Sequence, residues 1–375
     1  MAQAASQQMQ AVTLAARADS LLHSLIGHDD RVWQVSWDKT GTRLATCSGD
    51  KSARVWAPVA GSSFFDAPGT AIAPSTGDSA RTSASWQCLD TIDNAHKRTV
   101  RSVCFEPGSQ TTLATASFDG TTAIWAQEDG SYECVATLEG HENEAKSVAW
   151  SPGGQLLATC GRDKSVWIWE ATGEGDFDCI SVLMEHTQDV KAVVWHPSQE
   201  LLVSFSYDDS IRVWQDDDDD WYCAAVLSGH SSTVWGGAFS HDGRFLASVS
   251  DDRTVRVWAE QKKEAQSDGF YYRPEVSYQC VSVVPESVHA RAIYSVAWSA
   301  PADGAPLGFV ATGCGDNSVR VFSATGDDKV ELELAAEVQN AHGLSDINCV
   351  QWNPQHPRWL ATAGDDAIVR IWYLE

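Results

Sequence analysis

One unit returns seven times along the 375 residues, and a repeat of that kind leaves few folds open. Histidines hold the same place in each unit: His28, His96, His141, His186, His230, His289 and His342. Each is followed by a short alternating run, VWQVSW (32–37) in the first unit and AKSVAW (145–150) in the third. A second run ends on an acid, as in RLATCSGD (43–50), and a third closes on an aromatic: Trp56, Trp125, Trp169, Trp214, Trp258, Phe322 or Trp372. The spacing from histidine to aromatic is 28 residues in four units, as from His28 to Trp56, and 29 in the second. In the last two it stretches to 33 and 30.

Three alternating runs broken by Gly, Asp and Ser read as three β-strands per unit. A fourth run precedes each next histidine, for example WQCLDTI (86–92) and YECVATL (132–138). Four strands per unit, with Gly-His before the first and Trp after the third, is similar to the WD-repeat pattern. The resemblance covers residues 20–375 and implies an all-β, seven-bladed WD-repeat β-propeller. The last unit ends at VRIWYLE with no fourth strand, while SLLHSLIGH (20–28) matches the run before the other histidines. The N-terminal strand is therefore expected to complete blade seven and remove the free sheet edge.

Residues 138–170 place His141, Asp163 and Ser165 close together, which invites a hydrolase reading. The set recurs in every unit, however, with the acid at Asp50, Asp119, Asp163, Asp208, Asp252, Asp316 and Asp366, six residues before the closing aromatic. An aspartate there suits a tight turn, because its carboxylate accepts local backbone hydrogen bonds. The WD-repeat resemblance implies that the histidine, this aspartate, a hydroxyl of the second strand and the Trp form a buried network within each blade. Seven histidines in separate blades cannot converge on one metal. Gly161 stands where other blades carry a serine, blade six closes on Phe322, and Gly364 stands at the position assigned to the second-strand hydroxyl. Thinner networks are expected in those three blades.

A formal charge of −25 argues against non-specific nucleic-acid binding. No apolar run reaches 18 residues, so no membrane span is expected. The ten cysteines contain no Cys-x-x-Cys pair and fall in apolar stretches, as buried small hydrophobes do in a reducing compartment. In five of the fourth strands a cysteine follows an aromatic by two residues, on the same strand face, which favours packing over chemistry. Neither a phosphate loop nor a paired acid/base site is recognisable. The chain is read as non-enzymatic, with no cofactor. Residues 1–19 lack a secretory pattern and read as a flexible tail, so a cytoplasmic location is expected, with the nucleus left open. Residues 57–85 and 259–277 read as insertions, and Asp216–Asp220 as an acidic turn.

The repeat also marks a face. Residues flanking the first apolar position of each first strand, and those just before each turn aspartate, point to the mouth of the ring on the histidine side. They include Arg31, Trp33, Arg101, Phe118, Lys146, Arg162, Lys191, Tyr207, Trp235 and Tyr294. Arginine and large aromatics are enriched at binding hot spots, so this group is the candidate partner-binding site. Glu144 and Lys146 are expected beside Arg162.

Between the framework positions, LEGHENEAKSVAW (138–150), RDKSVWIWE (162–170), HTQDVKAVVWHPSQELL (186–202) and SDDRTVRVW (250–258) closely resemble the WD-repeat subunit of the cytosolic iron–sulfur assembly targeting complex. HENE, HTQDVK and HPSQELL are not demanded by a propeller. Ala145, where that family usually has valine, and the 57–85 insertion are departures. The resemblance implies a scaffold that joins a small reactive-cysteine subunit, a HEAT-repeat adaptor and an iron-only-hydrogenase-like cluster carrier, and that serves apoproteins receiving [4Fe–4S] clusters. The alternative is a generic WD-repeat adaptor, such as a ubiquitin-ligase substrate receptor or a chromatin-complex subunit.

Overall fold

The computed structural model describes residues 21–59, 86–94, 96–173, 175–217, 220–261, 276–327 and 329–374. The alternating runs become 28 strands in seven four-stranded antiparallel sheets, with no helix among the described residues. In six sheets the strands lie in chain order, the first of each innermost. Those inner strands are Val32–Trp37, Val100–Phe105, Ala145–Trp150, Val190–Trp195, Val234–Phe239 and Ile293–Trp298, with Ile347–Trp352 in the seventh. The expected tail 1–19, most of both insertions, and Asp218 and Asp219 of the acidic run fall outside the described residues.

The hydrophobic core is divided into wedges, because each sheet buries both faces of its inner strands against the two neighbouring sheets. Val55 of blade one packs with Val100, Leu113 and Tyr132 of blade two, and Leu156 and Ile168 of blade three pack with Val193 and Trp195 of blade four. Polar side chains at the third position of the inner strands stitch the wedges together. Ser102 Oγ accepts a hydrogen bond from the Val148 amide at 3.1 Å, Ser147 Oγ from Val193 at 3.3 Å, and Ser295 Oγ from Val350 at 3.1 Å. Gln34 Oε1 accepts likewise from Val103 at 3.0 Å.

The first strand, Leu21–Ile26, pairs antiparallel with the last, Ile368–Tyr373, as the outer strand of blade seven. Leu25 is buried there among Val35, Trp37, Val369 and Ile371, so the strand contributes apolar packing to blades seven and one as well as hydrogen bonds. On the opposite face Asn353 Nδ2 donates to Gly41 O at 2.9 Å. Gly41 has φ +69°, and a Cβ there would stand 2.3 Å from Asn353 Oδ1, so both backbone and space require glycine.

Within a blade the network has a fixed polarity. In blade one the Trp56 indole N–H donates to Thr46 Oγ1 at 3.0 Å, Thr46 meets His28 Nε2 at 2.8 Å, and His28 Nδ1 meets Asp50 at 2.9 Å. An indole N–H can only donate and a carboxylate only accept, so the hydroxyl donates to Nε2 and the ring proton sits on Nδ1. The other carboxylate contacts fix the adjoining backbone: Asp50 accepts from the amides of Asp29 at 3.0 Å and Ser52 at 2.9 Å.

The hydroxyl in this chain is two residues earlier than the position assigned from sequence. It is Thr46, Thr115, Thr159, Ser204, Ser248, Thr312 or Thr362, and no blade lacks it. The serines at the sequence-assigned position serve the turn instead, as Ser48 Oγ does in accepting from the Asp50 amide at 3.1 Å. The expectation of thinner networks in blades three and seven is therefore corrected. His141 meets Thr159 at 2.9 Å and Asp163 at 2.8 Å, and His342 meets Thr362 at 2.7 Å and Asp366 at 2.8 Å.

Blade six is thin, as Phe322 implied. Phenylalanine offers no N–H to Thr312, and Arg320 takes Asp316 at 2.8 Å. His289 keeps Thr312 at 3.0 Å, but its buried Nδ1 has no hydrogen-bond partner among the described residues. Burial first, and the Arg320 charge second, push His289 down to about 4, whereas hydrogen bonds to His186 and Ser210 hold Asp208 of blade four below the usual carboxylate range.

Two expected outcomes follow from these contacts. Leu25→Ala should cost about 2–5 kcal/mol by leaving a cavity at the seam, and deletion through Ile26 should expose the edge of Ile368–Tyr373 and cause aggregation. Chemical denaturation and light scattering measure the two effects, and wild-type behaviour in both would remove the seam as a stability element. His289 takes up a proton in the unfolded chain near pH 6.5 but resists it in the fold, so its contribution is present above pH 6.5 and is lost as pH falls towards 4. The drop in unfolding free energy from pH 7 to pH 5 should shrink by about 2 kcal/mol in His289→Gln, measured by urea denaturation at each pH.

A candidate protein-binding mouth

Two local features aim side chains at the mouth. After each turn aspartate the chain passes through a left-handed residue: Lys51, Gly120, Lys164, Asp209, Arg253, Asn317 or Ala367, with φ between 62° and 88°. This sharp reversal leaves the residue before the aspartate on the rim, where Phe118, Arg162 and Tyr207 stand. The second feature is the second position of each inner strand. Around the ring it reads Trp33, Arg101, Lys146, Lys191, Trp235, Tyr294 and Asn348, with aromatics in blades one, five and six and cations in blades two to four.

The structure joins these residues into a belt that bridges every pair of neighbouring blades. The Arg101 guanidinium lies 4.8 Å from the Trp33 ring centre, joining blades one and two. Arg98 meets Glu144 at 3.1 Å, and Lys146 meets Asp189 at 2.7 Å. Lys191 Nζ lies 4.9 Å from the Tyr207 ring and 5.1 Å from the Trp235 ring, and Trp235 meets Tyr294 edge-on at 5.2 Å. Arg291 with Asp346 and Arg31 with Asp365 close the circuit through blade seven at 3.4 and 3.5 Å.

All ten sequence-assigned residues belong to this belt or its rim. Arg162 stands beside Glu144 at 3.4 Å, with its side chain 58% exposed. It lines a cavity of 410 Å³ with Phe118, Glu144, Lys146, Gln188, Asp189 and Tyr207. What sequence reasoning missed is the acidic half of the belt, Asp189, Asp251, Asp346 and Asp365, together with Arg291 beside Asp346 and Arg98 beside Glu144. All four aspartates satisfy the same positional rule as the chosen residues, which selected for cations and aromatics. The mouth is thus a lattice of paired charges. Burial, then Lys146, push Lys191 down to about 8 although Asp189 opposes them.

The cysteines need a correction as well. Cys47, Cys160, Cys314 and Cys349 are buried, but Cys88, Cys134 and Cys179 are exposed, and Cys223 and Cys280 are partly so. Those five sit on outer strands, where neighbouring blades have splayed too far apart to cover the sheet faces. Each points its thiol at the carbonyl two residues on, as Cys88 does to Asp90 O at 3.2 Å. Among the described residues no group of three or more His, Cys, Asp or Glu side chains is placed to hold a metal ion.

The repeats match the family model for the WD domain, G-beta repeat, over residues 19–57, 86–126, 132–170, 177–215, 221–259 and 336–373. The matched residues skip 260–335, which hold the fourth strand of blade five and the first three strands of blade six, the third of them carrying Phe322 in place of the tryptophan. Fold and repeat together define a WD-repeat propeller protein. The chain is 49% identical over 369 residues to "Protein CIA1" of Arabidopsis thaliana, covering 94% of this chain and 96% of that protein. It is 43% identical over 365 residues to "Probable cytosolic iron-sulfur protein assembly protein 1" of Yarrowia lipolytica, covering 94% and 99%. Over 364 residues it is 40% identical to "Probable cytosolic iron-sulfur protein assembly protein Ciao1" of Culex quinquefasciatus, covering 95% and 98%. The chain belongs to this family of cytosolic iron–sulfur protein assembly proteins.

The belt makes one electrostatic prediction. Lys191 should titrate near pH 8. In Lys146→Met its pKa should rise, because the like charge is gone and Asp189 is left to Lys191 alone. Carbon-13 chemical shifts of reductively methylated protein measure this, and an unmoved Lys191 would separate the two lysines.

Proposed function

We propose that this protein is a non-enzymatic scaffold of cytosolic iron–sulfur protein assembly and that the mouth of the propeller is its partner-binding face. The observation that carries the proposal is the ring of arginine, lysine and aromatic side chains gathered at one mouth of a chain with net charge −25. A lattice of alternating charges and aromatic rings favours a partner whose own charges match its pattern, and so contributes specificity and register. The full-length likeness to cytosolic iron–sulfur assembly proteins supports the pathway and a cytoplasmic location. On this reading the cluster is cargo passed between partners. The scaffold brings together a small subunit with a reactive cysteine, a HEAT-repeat adaptor, an iron-only-hydrogenase-like carrier and the apoprotein that receives the [4Fe–4S] cluster.

Arg162 is the residue on which to test the face. Its guanidinium is mostly exposed, and a fork of N–H donors can grip a carboxylate in a way lysine cannot reproduce. Arg162→Glu should leave the fold intact by circular dichroism and weaken capture of at least one assembly partner or client by about 2 kcal/mol or more, as hot-spot changes do. Affinity purification with mass spectrometry from a eukaryotic cytosol gives the comparison. Undiminished capture of every partner would leave Arg162 a surface residue paired with Glu144. Recovery of ligase or histone-modifying subunits in place of iron–sulfur partners would replace the proposal with the generic adaptor.

A further inference from the structure

Among the cations of the mouth, Arg101 differs from the rest. Arg31, Arg98, Lys146, Arg162, Lys191 and Arg291 each have a carboxylate within 4 Å. Among the described residues no side-chain hydrogen bond or ion pair reaches the Arg101 guanidinium, which lies against the face of Trp33. It is partly buried at the second position of the blade-two inner strand. It lies over the ring of Trp33, which holds the same position on the neighbouring inner strand, so the guanidinium sits on the inner side of the rim, at the neck of the ring. Arg101, Lys146 and Lys191 occupy that neck on consecutive blades with one carboxylate, Asp189, between the two lysines. The next acid round the ring, Asp251, is held by Trp235 Nε1 at 2.6 Å.

A half-buried guanidinium stacked on an indole, with no protein acceptor for its N–H donors among the described residues, can offer those donors to an incoming anion through charge-assisted hydrogen bonds. We propose that Arg101 anchors a carboxylate subsite at the neck of the channel, with Trp33 holding the guanidinium plane and Lys146 and Lys191 adding charge, and that its occupant is the carboxylate of an acidic residue on a protein partner. A planar fork stacked on an indole presents two parallel N–H donors, which matches a carboxylate. The lysines favour an anion without fixing its shape. The proposal deepens the assignment of the mouth as a partner-binding face and rests on it for the identity of the occupant.

The test uses acetate as the probe, so its outcome is independent of partner capture. The full-length protein is labelled with 5-fluorotryptophan, and the Trp33 fluorine signal is assigned with Trp33→Phe. Acetate, titrated at constant ionic strength, should shift that signal saturably. In Arg101→Gln the dissociation constant should be weaker by about tenfold or more, the value of one charge-assisted pair. Arg244→Gln, where the arginine faces Asp242 away from the mouth, should behave as wild type. If Arg101→Gln fails to fold by circular dichroism, Arg101→Lys keeps the charge without the fork and should still bind more weakly than wild type. No saturable shift, or equal binding by wild type and the Arg101 variant, would overturn the subsite. Inorganic phosphate binding more tightly than acetate would overturn its assignment to a carboxylate. Acetate binding at Arg101 alongside unimpaired capture by Arg162→Glu would keep the subsite while removing Arg162 from the partner face.

Discussion

A ring of sheets has a stable form only where its two ends meet, and here the meeting is made by the pairing of Leu21–Ile26 with Ile368–Tyr373. The remaining blades depend on that seam, because each blade is a wedge whose faces are covered by the next. An open ring would leave an inner strand such as Val32–Trp37 with one bare face, and the strand Ile368–Tyr373 with unpaired N–H and C=O groups. The seam carries more than ladder hydrogen bonds. Leu25 fills the space between blades seven and one, Asn353 reaches across to Gly41, and Arg31 reaches Asp365 at the mouth. Joining the first and last strands therefore turns stability from a sum of blades into a property of the closed circuit.

Within that circuit the histidine network sets the geometry of each blade. It ties the loop entering a blade to the second strand, the turn and the third strand through one directed chain of hydrogen bonds. The turn aspartate belongs to the network and also shapes the reversal that puts Arg162, Phe118 and Tyr207 on the rim. Framework and function are thus coupled by covalent adjacency: a buried residue fixes the backbone, and its exposed neighbour meets the solvent. Blade six shows what happens when a member is missing. Without an indole donor, Thr312 keeps its histidine and the Arg320 carbonyl, and the Arg320 guanidinium claims the aspartate.

The mouth combines two roles in the same side chains. Each neighbouring pair of blades is bridged there, so the belt contributes to closure on that face. Surface ion pairs are worth little individually, but partly buried ones such as Lys146 with Asp189 are screened less. Lys191, between two aromatic rings and a second lysine, has lost much of its water and titrates low for that reason. Arg101 is the member whose charge the belt does not match with a carboxylate, and this imbalance distinguishes a binding position from a bridging one.

Much of this was legible in the chain itself. The sevenfold recurrence of His28 and its counterparts, the alternating runs and the displaced SLLHSLIGH segment determine the number of blades, the strands in each and the closure, because periodicity is a local property that survives without coordinates. The positional rule that selected Arg31 to Tyr294 likewise names the mouth. What the sequence could not decide is which of several equivalent side chains performs a task, since that depends on distances between strands. Thr46 rather than Ser48 meets His28, because a residue two places along a strand is displaced by two rises and faces the turn. The same limit hid the exposure of Cys88, the capture of Lys146 and Lys191 by Asp189, and the absence of any such partner for Arg101 among the described residues. Pairing across blades was settled only when the ring closed and brought residues from separate repeats within a hydrogen bond of one another.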